Sequence, residues 1–138
     1  MPSVSASLAK LVARFRRRAP IRVLIVDDDR GFATALELYL RAHETLDVVG
    51  VAEDGGDAID LTLIHHPDVV VMDALMPVVG GVDATAHLRA IRTTARIIVM
   101  SGDRDAAAAA AVAGAVAYVP KSEVHDRLVD VIEEVAAR

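Results

Sequence analysis

Residues 69–77 read VVVMDALMP, a run of four apolar residues, an aspartate and a loop that contains a proline. A short, continuous and branched apolar run indicates a strand with both faces buried. Asp73 then stands at the carboxyl end of this strand, which is the edge where open α/β sheets bind their ligands. This stretch therefore predicts a parallel sheet with a functional carboxylate at its rim.

Three further apolar runs, on either side of this stretch, also end in polar side chains. These are the acidic triplet Asp27-Asp28-Asp29 after residues 21–26, Ser101 after residues 97–100, and Lys121 after residues 118–120. Because the carboxyl ends of parallel strands share one edge of the sheet, the acids, the hydroxyl and the ammonium are expected to meet. Such a set of groups suits metal-assisted phosphoryl transfer.

Stretches of helical periodicity lie between these runs, so that residues 21–138 alternate as five strands and five helices. The connections are short enough to require right-handed crossovers, which predicts a three-layer α/β fold with a doubly wound, five-stranded parallel sheet. No Gly-x-Gly-x-x-Gly follows the first strand, so the flavodoxin-like strand order 2-1-3-4-5 is favoured. In that order the strands that end in Asp27 and Asp73 are neighbours.

The ends and the inward face of two helices can be predicted in more detail. The third helix should begin at Gly80-Gly81, and its inward side chains should be Val82, Ala86, Leu88 and Ile91. The fourth helix contains six consecutive alanines at residues 106–111. Asp103 is expected to cap its start and Gly114 to end it.

Composition and charge divide the chain into two parts. It has 138 residues, 54% of them apolar, and no cysteine, which suits one core and excludes disulfides and cysteine-ligated zinc. Residues 1–20 carry a net charge of +5 and the rest −10, which gives the overall −5. We therefore expect a basic extension over residues 1–20 and an acidic domain over residues 21–138, for which nucleic acid or an anionic membrane is a poor partner. No apolar stretch reaches the roughly 18–20 residues of a membrane span.

The chemistry of the predicted pocket follows from its charges. Three carboxylates at one rim repel one another, and a hard divalent cation such as Mg²⁺ reduces that cost. Asp28 and Asp73 are expected to hold the ion, with Asp27 in support. Asp73 stands alone at its strand end and is the candidate nucleophile that forms an acyl phosphate. Lys121 and Ser101 would then contact the phosphoryl oxygens.

Each of these groups also has an ordinary interpretation. The acidic triplet can be a helix-capping loop, Lys121 a solvated helix start, Ser101 a turn residue and Tyr118 a core aromatic. Their joint placement at strand ends favours the functional interpretation.

Taken together, these residues resemble the receiver domain of a two-component response regulator over residues 21–138. The matching motifs are Val26-Asp27-Asp28-Asp29, Asp73-x-x-Met76-Pro77, Met100-Ser101-Gly102 and Tyr118-Val119-Pro120-Lys121. The resemblance implies that Asp73 accepts a phosphoryl group from the phosphohistidine of a sensor histidine kinase.

The same resemblance implies a ligand set and a switch. Mg²⁺ would be bound by Asp28, Asp73 and the backbone carbonyl of Leu75, while Asp27 would support it through water. Ser101 and Tyr118 would move inward on phosphorylation. The face formed by the fourth helix, fifth strand and last helix would then dimerise or dock an output domain, DNA-binding or of another kind, that lies outside this chain.

The implied role is a cytoplasmic signalling switch, which is not an enzyme beyond its own phosphorylation and dephosphorylation. A phosphorylation-independent pseudo-receiver that only binds partners is the alternative. An aspartyl-phosphate enzyme of the haloacid dehalogenase kind is disfavoured because Leu75 replaces the second acid, and a flavodoxin-like cofactor binder because three acids stand where its phosphate would sit. Leu75 and Asp103 border the path of the hydrolytic water, so we predict an altered lifetime of the acyl phosphate.

Overall fold

The computed structural model describes residue 8 and residues 19–138. Most of the predicted basic extension over residues 1–20 therefore lies outside the described residues. The sheet has five parallel strands in the order β2-β1-β3-β4-β5, as predicted. The strands are β1 (Ile21–Val26), β2 (Leu46–Ala52), β3 (Val69–Asp73), β4 (Arg96–Ser101) and β5 (Ala117–Pro120).

Helices cover both faces of this sheet. They are α1 (Arg30–Arg41), α2 (Gly55–His65), α3 (Gly81–Ala90), α4 (Ala106–Ala113) and α5 (Val124–Ala136), and a 3-10 turn (Lys121–Glu123) precedes α5. None of the helices in the described part of the chain combines the length and the apolar character that crossing a bilayer requires.

The central strands supply two separate cores because their side chains alternate between the two faces of the sheet. Val69 and Val71 of β3 belong to a core that α1 and α5 cover, whereas Val70 and Met72 belong to a core that α2, α3 and α4 cover. All five residues of β3 are buried. The continuous apolar run around residue 69 thus marks the middle of a three-layer fold.

The inward face of α3 differs from the prediction. Leu88 is buried as expected, but Ala86 and Ile91 are exposed, and Ala84 and Thr85 are buried in their place. The reason is that Gly81 is itself buried at the start of the helix, which sets the inward stripe at i, i+3, i+4 and i+7 from that glycine.

The start of α4 also differs from the prediction. Asp103 does not cap the helix, because its Oδ1 accepts a hydrogen bond of 2.9 Å from the amide of Asp105 and forms a turn before the helix. The helix begins at Ala106 without a side-chain cap, and it ends as expected at Gly114, which has a φ of 114°.

Candidate functional site

Three carboxylates gather at the carboxyl edge of the sheet. Val26 of β1 pairs with Met72 of β3, so the residues that follow them, Asp27 and Asp73, stand on adjacent strand ends. One carboxylate oxygen each from Asp27, Asp28 and Asp73 lies within 4.8 Å of the other two. Asp28 is exposed, whereas the other two are buried. The acids that the sequence placed at two strand ends therefore share one pocket.

Lys121 brings a positive charge to this pocket. Its Nζ lies 2.9 Å from Oδ2 of Asp27 and 3.1 Å from Oδ2 of Asp73. The ammonium also lies 4.4 Å from the centroid of the Phe32 ring, within the range of a cation–π contact. Its side chain is 24% exposed, so this lysine is not a solvated helix start.

The acidic triplet divides into two kinds of residue. Oδ1 of Asp29 accepts a hydrogen bond of 3.1 Å from the amide of Phe32 and caps α1, so the capping interpretation holds for this residue. Asp27 has no exposed side-chain surface. Its Oδ1 accepts a bond of 2.9 Å from the amide of Asp29, and its Oδ2 is compensated by the ion pair with Lys121.

Asp73 is held by one contact on each carboxylate oxygen. Oδ1 accepts a hydrogen bond of 3.2 Å from the amide of Leu75, and Oδ2 accepts one of 3.1 Å from Lys121. Burial raises the pKa of the Asp73 carboxyl, and the nearby charge of Asp27 adds to this effect. The Leu75 amide and the Lys121 ammonium act in the opposite direction, but the pKa remains above its usual value.

The pKa of Lys121 is also raised. Burial lowers it, but the hydrogen bonds to Asp27 and Asp73 outweigh that effect. The pKa shifts of the two partners thus favour the charged lysine, which has two carboxylate partners, and disfavour the charged Asp73, whose burial outweighs its contacts with Leu75 and Lys121. Three carboxylates against one ammonium leave the pocket with an excess of negative charge, and its oxygen donors fit a hard divalent cation.

Ser101 and Tyr118 lie beside this pocket. Ser101 is fully buried and follows Met100, which pairs with Asp73 across β3 and β4. The Ser101 Oγ accepts a hydrogen bond of 3.0 Å from the amide of Asp103. The Tyr118 hydroxyl donates to the carbonyl of Asp103 at 2.9 Å and to that of Ser101 at 3.3 Å. The tyrosine is half-buried, packs against the core under α2, α3 and α4, and ties β5 to the loop after β4.

Two residues that support the site were not predicted to do so. Phe32 lies in α1, and no feature of the sequence indicates that its ring would contact an ammonium. Gly81 carried a signal in the Gly80-Gly81 pair, but its role is more specific than opening a helix. A Cβ there would collide with the carbonyl oxygen of Asp73 and lie 2.9 Å from Cα of Ala74. Only glycine lets α3 begin so close to the end of β3.

The chain is similar to known proteins over most of its length. The family model described as "Response regulator receiver domain" matches residues 23–133. A protein-glutamate methylesterase/protein-glutamine glutaminase of Myxococcus xanthus is 38% identical over 128 residues, which cover 87% of this chain and 36% of that protein. The transcriptional regulatory protein PdtaR of Mycobacterium tuberculosis is 37% identical over 121 residues, which cover 86% of this chain and 58% of that protein. The chain thus spans only part of the length of both relatives.

Solved structures agree with these matches. A LuxR-family two-component response regulator from Aurantimonas sp. has a TM-score of 0.81 and 34% identity, with 86% of each chain covered. The response regulator domain of Thermotoga maritima CheB has a TM-score of 0.79 and 27% identity, with 87% of this chain and 98% of that chain covered. With its five-stranded fold and its acidic pocket, the chain belongs to the response regulator receiver domain family.

Proposed function

We propose that this chain is a phosphorylation switch in which Asp73 accepts a phosphoryl group from the phosphohistidine of a sensor histidine kinase. The observation that supports this most directly is the position of the Asp73 carboxylate, fixed between the Leu75 amide and the Lys121 ammonium with two more carboxylates within 4.8 Å. A merely structural ion pair would not require two further acids at the same point. We propose domain boundaries of residues 1–20 for the basic extension and residues 21–138 for the receiver domain.

In the transfer step a carboxylate oxygen of Asp73 attacks the phosphorus atom. A P–O bond forms as the P–N bond to the histidine ring breaks, and the electron pair stays on the ring nitrogen, which takes up a proton from solvent. Lys121 already lies 3.1 Å from the Asp73 carboxylate, so its ammonium is in place to neutralise charge on the transferred oxygens.

The proposed metal is Mg²⁺, held by Asp28, Asp73 and the backbone carbonyl of Leu75, with Asp27 acting through water. The excess of negative charge in the pocket and its oxygen donors support this choice. When bound, the ion would supply further neutralisation of the phosphoryl oxygens. The hydrogen bond that the Leu75 amide donates to Asp73 holds Leu75 close to the pocket, which is consistent with a role for its carbonyl.

The proposed switch uses Ser101 and Tyr118. The Ser101 hydroxyl, whose Oγ now accepts from the amide of Asp103, would donate to a phosphoryl oxygen, and Tyr118 would leave the two carbonyl groups that it contacts now. The surface formed by α4, β5 and α5 would change as a result and then dimerise or dock an output domain. The switch works in the cytoplasm and catalyses nothing beyond its own phosphorylation and dephosphorylation.

The test is intact-mass spectrometry after incubation with acetyl phosphate and MgCl₂. The wild-type chain should gain one phosphoryl group, and the Asp73→Asn variant should gain none. Beryllofluoride with Mg²⁺ should change the spectrum of the wild-type chain and leave that of Asp73→Asn unaltered. A wild-type chain that responds to neither reagent would support the alternative of a phosphorylation-independent pseudo-receiver.

A further inference from the structure

The loop between β3 and α3 contains a residue that the proposed chemistry does not use. Val78 has a φ of 66°, and its side chain is fully exposed. A β-branched residue rarely adopts a positive φ, because its Cβ comes too close to the backbone, and glycine or asparagine fits this conformation better. Because the Val78 side chain is fully exposed, burial within the chain does not offset the strain. Two unfavourable features therefore coincide on one side chain.

This loop is held from two directions. The Gly81 amide donates a hydrogen bond of 3.0 Å to the carbonyl of Ala74 and closes the loop on itself. From α2, Gly55 packs so tightly on Val79 that a Cβ there would lie 2.6 Å from both Cγ1 and the carbonyl oxygen of Val79. Val78 is thus displayed in the middle of a loop whose two ends are fixed.

The same loop carries a second exposed apolar side chain beside the acceptor. Leu75 is 61% exposed, and its amide donates a hydrogen bond to Oδ1 of Asp73. The Asp73 side chain is only 8% exposed. A protein that delivers a phosphoryl group must bring its phosphorus atom into bonding distance of this nearly buried carboxylate, and its surface must therefore cover the loop that borders it. A small phosphodonor has no such requirement.

We propose that the exposed side chains of Leu75 and Val78 form an apolar surface on which the phosphohistidine-bearing protein docks. Apolar side chains that flank its histidine would pack on this surface. This inference rests on the proposed function and names how the partner recognises the site. This contact would explain why a strained valine occupies position 78, since glycine and asparagine, which would relieve the strain, offer no apolar surface to the partner.

The experiment compares two phosphoryl donors on the full chain. Purified histidine kinases from the genome that encodes this chain are autophosphorylated, and the one that labels the wild-type chain fastest is used beside acetyl phosphate. Val78→Asn should slow transfer from the kinase about ten-fold, as expected for loss of a well-packed interface side chain. Labelling by acetyl phosphate should be unchanged. Val78→Leu should keep the kinase rate near that of the wild type, because it keeps the apolar surface. Ile64→Asn, a comparable change on the exposed face of α2, should leave both rates unaltered.

Four outcomes would overturn either the docking contact or the proposed function on which it rests. Equal kinase rates for Val78→Asn and the wild type overturn the docking contact. A loss with both donors also overturns it, since the change then acts on the Asp73 site and not on the partner. If acetyl phosphate labels the wild-type chain and no kinase does, the loop has no such partner and the inference falls. If neither donor labels the wild-type chain at Asp73, the proposed function itself fails.

Discussion

Nζ of Lys121 lies 2.9 Å from Oδ2 of Asp27, a carboxylate whose side chain has no exposed surface. The same ammonium reaches Asp73 at 3.1 Å, so one lysine compensates two buried acids. The lysine thus neutralises carboxylates that a divalent ion would also neutralise. We therefore expect Lys121 and the proposed metal both to stabilise the pocket, so that removal of one cation makes the stability of the fold depend more on the other.

Lys121→Met should lower the free energy of unfolding by about 2 kcal/mol, less than for a fully buried pair because the lysine is partly exposed. MgCl₂ should restore more stability to this variant than to the wild type, since the ion becomes the main cation available to Asp27 and Asp73. Urea unfolding with and without MgCl₂ measures both effects. Arg127→Met is the control, because its ion pair with Glu123 is exposed, and its effect should stay within about 0.5 kcal/mol. A magnesium effect of equal size in Lys121→Met and wild type would contradict the shared role.

The pH dependence of stability follows from the raised pKa of Asp73. The folded state binds the proton of the Asp73 carboxyl more tightly than the unfolded state does. Ionisation of Asp73 therefore destabilises the fold as the pH rises above 3.8, the ordinary pKa of an aspartate. Asp73→Asn should therefore be more stable than the wild type near neutral pH in a metal chelator, and the difference should shrink as the pH falls toward 3.8. Lys121 contributes in another window, because its raised pKa makes stability fall only above pH 10.5. Denaturant unfolding of both proteins across this range checks the sign. A less stable Asp73→Asn at neutral pH would show that the ion pair outweighs the cost of burial.

The approach of Asp27 to Asp73 could be predicted from the sequence, because polar residues at the ends of parallel strands share one edge whatever the details of packing. The face of α3 could not, since it depends on the tight contact between Gly81 and the end of β3, which fixes the rotation of the helix. The ring of Phe32 beside Lys121 is of the same kind. The position of this ring depends on the angle between α1 and the sheet, and the periodicity of the sequence does not determine that angle.

Backbone strain was equally invisible in the sequence. Val78 reads as an ordinary apolar residue between a proline and a glycine pair, and its positive φ emerges only when the loop must turn between the ends of β3 and α3. The strand order, by contrast, followed from the alternation of elements and the absence of a dinucleotide-binding motif. The topology could thus be predicted from the sequence pattern, whereas the conformation of the loop depends on the contacts of Gly55 with Val79 and of Gly81 with Asp73 and Ala74.

Val78→Asn should raise the free energy of unfolding by about 1 kcal/mol, because asparagine tolerates the left-handed conformation better than a β-branched residue. Thermal and urea unfolding provide the measurement. Ile64→Asn, at an exposed helical position, should give no increase. A Val78→Asn variant no more stable than the wild type would mean that the loop relaxes to accommodate valine, and the strain would not need a functional explanation.

Gly81→Ala should destabilise the fold by about 2–3 kcal/mol, because the new methyl group meets the backbone of Asp73 and Ala74 and one of the two elements must shift. The shift should also slow labelling of Asp73 by acetyl phosphate. Gly102→Ala is the matched control, since a Cβ there meets nothing within 4 Å, and its effect on stability should stay within about 0.5 kcal/mol. Equal stabilities for the two alanine variants would refute the close packing of α3 on β3.

Leu75→Asn tests whether the apolar side chain beside the acceptor protects the acyl phosphate. Leu75 is exposed, and its amide donates a hydrogen bond to Asp73, so we expect its side chain to shield the carboxylate from incoming water, whereas asparagine can hold a water molecule there. We expect the acyl phosphate of the variant to hydrolyse at least about three-fold faster than that of the wild type. Intact-mass spectrometry after removal of acetyl phosphate measures this decay. Leu38→Asn, an exposed leucine of α1, is the control and should decay at the wild-type rate. An unchanged decay in Leu75→Asn would show that water reaches the phosphoryl group by another path and that the Leu75 side chain does not set the lifetime of the acyl phosphate.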